Sequence, residues 1–175
     1  DAGIDPDDED ALLAAAEATQ DAHLAWEISI MLQQVGTRKS IAFLKQLMQY
    51  PKTDVKITSF GALASILGAD GQDFYVETLD SPKYPEKFSA VRAIRDHCDA
   101  RAASSALKRM RKIFSRPREA VYYNGAMTEV TTCLEYLQRV DAAERIEALE
   151  LIRRKIAALE PKERGWIQEN IPGVI

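Results

Sequence analysis

Apolar residues return every three or four positions along nearly the whole chain, the period of a helix with one face turned to a core. Leu12, Leu13 and Ala16 are followed by Leu24, Ile28, Met31, Leu32 and Val35. Thr19 or Asp21 is placed to cap the second of these runs, and Gly36 to stop it. Ile41, Leu44, Leu47 and Met48 make a short third stripe that ends at Pro51. Ile57, Phe60, Leu63, Ala64 and Leu67 make a fourth, with Thr53 or Asp54 as its cap and Gly68 as its stop. "GQDFYVETLDSP" has room for about two turns of helix. Pro85 stands at a favoured first helical position before Phe88, Val91, Ile94 and Cys98.

Leu107, Met110 and Phe114 form the next stripe. Pro117 then opens a longer predicted helix through Val121, Met127, Val130, Leu134 and Leu137, with Gly125 inside it. Asp141 and Glu144 have capping-box spacing ahead of "AAERIEALELIRRKIAAL", and Pro161 begins a last short helix that stops before Pro172. Loops of two to six residues between such helices require antiparallel hairpins. The expected fold is all-α.

Two of these hairpins say nearly the same thing. "YPKTDVKITSFGALASIL" and "SPKYPEKFSAVRAIRDHC" lie 31 residues apart, and their alignment puts Pro51 on Pro82, Ile57 on Phe88, Phe60 on Val91, Ala62 on Ala93 and Leu63 on Ile94. The matched positions are a turn proline and the apolar face after it, the face a repeat unit must bury against its neighbour. A third copy from "SRPREAVYYNGAMTEV" matches with one extra residue.

"LDSPKYPEKFSAVRAI", with its proline turn and valine-arginine pair, resembles the HEAT repeat in its short bacterial form, and "LMQYPKTDVKITSFGAL" is similar without that arginine. The resemblance spans roughly residues 38–160 and concerns architecture. It implies a right-handed α-α superhelix of about four hairpins after an acidic lead, 1–8, with 9–175 as one repeat domain. It further implies that the second helix of each hairpin lines a concave, partner-holding side: "SIAFLKQLMQ", "QDFYVETL", "ASSALKRMRKIF" and "IEALELIRRKIAAL". The tryptophan-tyrosine pattern of tetratricopeptide repeats and the T-P-L-H of ankyrin repeats are missing.

Charge refines this picture. The net charge is −4, but Asp1, Asp5, Asp7, Asp8, Glu9 and Asp10 hold six of the 27 acids, so the rest of the chain has 21 against 23 bases. A chain of this balance lacks the strongly basic face that bulk nucleic-acid binding needs. No apolar run reaches membrane-spanning length. The first residues lack a leader pattern, and the chain opens without Met, as a processed or trimmed piece would, so no compartment is assigned.

From Arg101 to Arg118 there are seven bases and no acid. With Leu107, Met110 and Phe114 inward, Lys108, Arg109 and Lys112 project outward. Arg111 belongs to the same run, and Arg153 and Arg154 extend the surface one hairpin on. These six are the candidate partner-binding residues, read as a groove for an acidic protein segment; the competing reading is a solvated helix face. Aromatic residues are not interleaved as base stacking would require.

Little in the chain suggests catalysis. Neither CxxC, HExxH, GxSxG nor a glycine-rich phosphate loop occurs. Cys98 and Cys133 are expected as buried thiols, since helix axes about 8–10 Å apart exceed the roughly 4.4–6.8 Å Cα spacing of a disulfide. His97 beside Asp96 and Cys98 puts its neighbours on other faces of the helix. No catalytic residue, metal ligand or cofactor is assigned. The expectation is a non-enzymatic protein-binding module, a scaffold, adaptor or immunity-type binder; the alternative is an enzyme on a HEAT scaffold, an accessory lyase or nucleic-acid repair protein.

Overall fold

A computed structural model describes residues 8–17, 21–84, 86–118, 121–123, 125 and 127–175. The elements are helices: α1 Asp8–Glu17, α2 Ala22–Val35, α3 Ile41–Leu47, α4 Thr53–Leu67, α5 Gln72–Asp80, α6 Lys87–His97, α7 Ala103–Ile113, α8 Glu129–Arg139, α9 Glu144–Arg154 and α10 Pro161–Asn170. No β-strand occurs among the described residues. The chain forms two compact units, residues 1–71 with 82–89, and residues 72–81 with 90–175.

In the first unit α4 packs on α2 and α3, and α1 packs on α2. Ile28, Leu32, Leu44, Val55, Phe60 and Leu63 are at most 1 % exposed. Small residues, Ala25, Ser29, Ser59 and Ala62, allow α2 and α4 to approach closely. The Ser29 and Ser59 hydroxyls lie 3.0 Å apart in this seam, each within bonding reach of the carbonyl four residues back, so neither buried hydroxyl is orphaned. Trp26 is partly buried against the Ala25, Leu47 and Val55 cluster.

In the second unit α7 packs on α5, α8 and α9, while α8 also meets α9 and α10. Its centre is Tyr75, Ile94, Met110, Leu134, Tyr136, Leu137 and Ile152, all at most 1 % exposed. Of the aligned pairs, Phe60 and Val91, Ala62 and Ala93, and Leu63 and Ile94 are buried in both copies, whereas Ile57 is half-buried where its match Phe88 is buried, and the turn prolines Pro51 and Pro82 are exposed.

A polar device also recurs. In the first unit Thr37 precedes the 3₁₀ turn Arg38–Ser40, and its Oγ1 accepts from the Lys39 amide; the Thr37 amide donates to Glu9 on α1 at 2.7 Å. In the second, Asp99 precedes the 3₁₀ turn Ala100–Ala102, and its Oδ1 accepts from the Arg101 amide; the Asp99 amide donates to Gln72 on α5 at 3.0 Å. Glu9 and Gln72 are buried and reach 28 and 27 residues ahead to fix the entry of the next short helix. Glu9 also accepts from Thr37 Oγ1 and from Ser40 Oγ.

Several local expectations change. Asp21 does cap α2, but Thr19 lies outside the described residues, as does Pro85 and most of the acidic lead. Neither Thr53 nor Asp54 caps α4: Lys52 stands at the cap, and Thr53 is the first helical residue. The α6 start is instead closed by the Glu86 carboxylate, which accepts from the Phe88 and Ser89 amides. Asp141 forms no capping box, because it turns into the left-handed region (φ 46°) and α9 starts from Ala143 without a side-chain cap. The helix predicted from Pro117 is absent in the described part of 117–128. Gly125 takes φ 62°, and Thr128 ends the segment by capping α8 in a reciprocal pair with Thr131.

Candidate functional site

Helix α7 buries Ala103, Ala106, Leu107 and Met110, which leaves its bases to reach outward from the other faces. They do not form a single stripe. Lys108 Nζ meets Asp80 of α5 at 2.8 Å, Arg109 Nε meets Glu129 of α8 at 2.5 Å, and Arg111 pairs with Glu147 of α9. Three of the six sequence candidates are therefore tied to carboxylates on three neighbouring helices. Lys112 is exposed and has no ion-pair partner among the described residues. Arg153 and Arg154 share that state at the end of α9.

Beyond α7 the chain leaves the helix, and there a cleft of about 650 Å³ opens. Its cationic lining is Arg109, Lys112, Arg116 and Arg118. Ile113, Pro117 and Val121 supply apolar surface, and Tyr122, 71 % exposed, stands in it beside Glu129. This volume is within the usual range for ligand sites. Lys108, Arg111, Arg153 and Arg154 do not line it; Arg109 and Lys112 do.

One wall is held by a buried ion pair. The Arg118 guanidinium grips Glu163 of α10 with two parallel bonds of 2.6 and 2.8 Å, and also donates to the Ala158 carbonyl. The Glu163 carboxylate accepts further from Thr128 Oγ1 at 2.6 Å and from the Glu160 amide at 3.0 Å. Burial by itself would raise this carboxyl, but the bonds from Arg118, Thr128 and the Glu160 amide, with the Arg118 charge, hold it below its usual range. Arg118 stacks over Phe114 and Lys162 over Tyr123, adding contacts between this segment and its surroundings.

The charge available to a ligand follows from these pairings. Glu129 neutralises Arg109 and Glu163 neutralises Arg118, whereas Lys112 and Arg116 have no ion-pair partner among the described residues. Among the described residues, the cleft offers two unneutralised cations beside apolar surface.

The cysteines and two of the tyrosines lie in the core. Cys98 and Cys133 are free and buried, and burial pushes the Cys98 thiol up to about 12. Tyr75 and Tyr84 are buried, and the Tyr75 ring lies against His97. No group of three His, Cys, Asp or Glu residues suited to a metal ion occurs among the described residues. No helix is long and apolar enough to cross a membrane among the same residues.

The basic run pointed to Arg116 and Arg118 as members, but the apolar lining and Glu129 were missed. A helix predicted through Pro117 and Val121 would have covered the place where the cleft opens. Comparison with protein-family models, with curated proteins and with solved structures finds no match to this chain.

Proposed function

We propose that this protein is a non-enzymatic interaction module of HEAT-like α-solenoid form, a right-handed array of about four hairpins, that binds an acidic segment of a protein partner. The basic cleft after α7 is the binding site. The observation that carries this reading is the pair Lys112 and Arg116, two exposed cations without ion-pair partners among the described residues, in a cleft of about 650 Å³. Cations so placed are available to carboxylates, and their attraction is reduced by added salt. Support for the repeat form comes from the matched buried faces of α4 and α6 and from the Glu9 and Gln72 devices. Arg153 and Arg154 remain a second cationic place on α9 for a longer partner.

The test is fluorescence anisotropy with a labelled, glutamate-containing peptide. The wild type binds it, added salt weakens the complex, and the Lys112→Glu, Arg116→Glu double variant loses it by about tenfold or more. Equal binding by wild type and variant, with both melting alike, rejects the cleft as the site.

A further inference from the structure

We infer that the segment bound in the cleft is a short amphipathic acidic one, an apolar side chain flanked by about two carboxylates, and not a dense polyanion. The inference rests on the proposed function and specifies its ligand.

Three features of the cleft carry it. First, its charge is limited. Of four lining cations, Arg109 is held by Glu129 and Arg118 by Glu163, so Lys112 and Arg116 are the unneutralised pair among the described residues. A ligand gains from about two negative charges, and further ones meet no cation there.

Second, Glu129 itself lines the cleft. Its pair with Arg109 is mostly withdrawn from solvent, at 17 % and 23 % side-chain exposure, so Glu129 cannot swing away without leaving Arg109 unpaired, and Arg109 is not released to meet excess negative charge. A nucleic-acid backbone or a polyglutamate run carries such excess along its whole length.

Third, the remaining lining is apolar. Ile113 ends α7 half-buried, Val121 is half-buried, and Pro117 is exposed between them. An all-acid ligand leaves this surface wet. A leucine or phenylalanine between two acids covers it and places the carboxylates near Lys112 and Arg116, with Tyr122 adding aromatic surface to the lining.

The experiment measures three labelled probes against the full chain: a peptide with a leucine-phenylalanine pair flanked by glutamates, the same peptide with glycines for the apolar pair, and a single-stranded oligonucleotide. Each is titrated into wild type, Val121→Ser, and Lys112→Glu with Arg116→Glu, after melting curves establish that the variants fold. The apolar-acidic peptide is expected to bind about tenfold or more tighter than the glycine peptide, as burial of one large apolar side chain implies. Val121→Ser should shrink that advantage by weakening the apolar-acidic peptide more than the glycine peptide. Equal affinity for the two peptides, both lost in the charge-reversed variant, overturns the inference and leaves the proposed function standing. Binding of neither peptide, or binding indifferent to charge reversal, overturns the proposed function with it. An oligonucleotide that binds tighter than both peptides makes the cleft a nucleic-acid site and overturns both.

Discussion

Glu163 has no exposed surface, yet it is ionised in the folded chain because Arg118, Thr128 Oγ1 and the Glu160 amide all donate to it. Its carboxyl titrates below its ordinary value near 4.5. A carboxyl lowered by folding contributes stability above its unfolded value, and that contribution disappears as pH falls through the lowered one. Thermal melts should therefore lose ground below about pH 4.5, and Glu163→Gln should flatten that acid limb; an unchanged limb would show that other carboxylates control it. Removing the partner is harsher. Arg118→Met leaves a buried charge without its cation and should cost about 3–5 kcal/mol in denaturant titrations, more than Glu163→Gln. Sequence alone placed Arg118 in a basic run but had no means of finding Glu163, which is 45 residues away.

At the scale of elements, the short helices α3 and α7 are entered in the same way. A polar side chain on an earlier helix holds the amide of the residue before a 3₁₀ turn. Glu9→Ala removes the acceptor for the Thr37 amide and for the Ser40 hydroxyl, which is buried, and should cost about 2–3 kcal/mol. Gln72→Ala removes a single acceptor for the Asp99 amide and should cost about 1 kcal/mol. Chemical denaturation of the two variants checks the order, and a reversed order would refute this account of the device. Helix positions were legible because the 3.6-residue period survives in every core-facing stripe. Starts were less so: Lys52, Glu86 and Ala143 sit where sequence rules favoured Thr53 or Asp54, Pro85 and Asp141. The start that mattered most was α8. Capping by Thr128 with Thr131, the left-handed Gly125 and the Arg118 clamp together outweigh the helical pattern read from Pro117, and the cleft exists because of that break.

At the scale of the molecule, a net charge of −4 sets the long-range field while the cleft sets a local one of opposite sign. Random-sequence duplex DNA should show no retardation in gel-shift assays near physiological salt, where the Debye length is about 8 Å and counterion release at two cations is small. A complex of micromolar affinity or tighter would contradict that. An acidic peptide should still bind under the same conditions, because its carboxylates meet Lys112 and Arg116 at close range while its apolar side chain covers the surface beside them.

The sequence by itself determined the helical class, the positions of most helices, the buried faces of the repeated pair and the location of the basic run. All of these are read from local pattern, from period, turn residues and composition, with the repeated pair found by matching two such patterns 31 residues apart. Only the tertiary structure decided which of the bases are neutralised. Lys108, Arg109, Arg111 and Arg118 find Asp80, Glu129, Glu147 and Glu163 across 20 to 45 residues, and no local pattern encodes such pairings. Lys112 and Arg116, the cleft's two cations without an ion pair among the described residues, and the apolar surface beside them are what packing leaves there for a ligand.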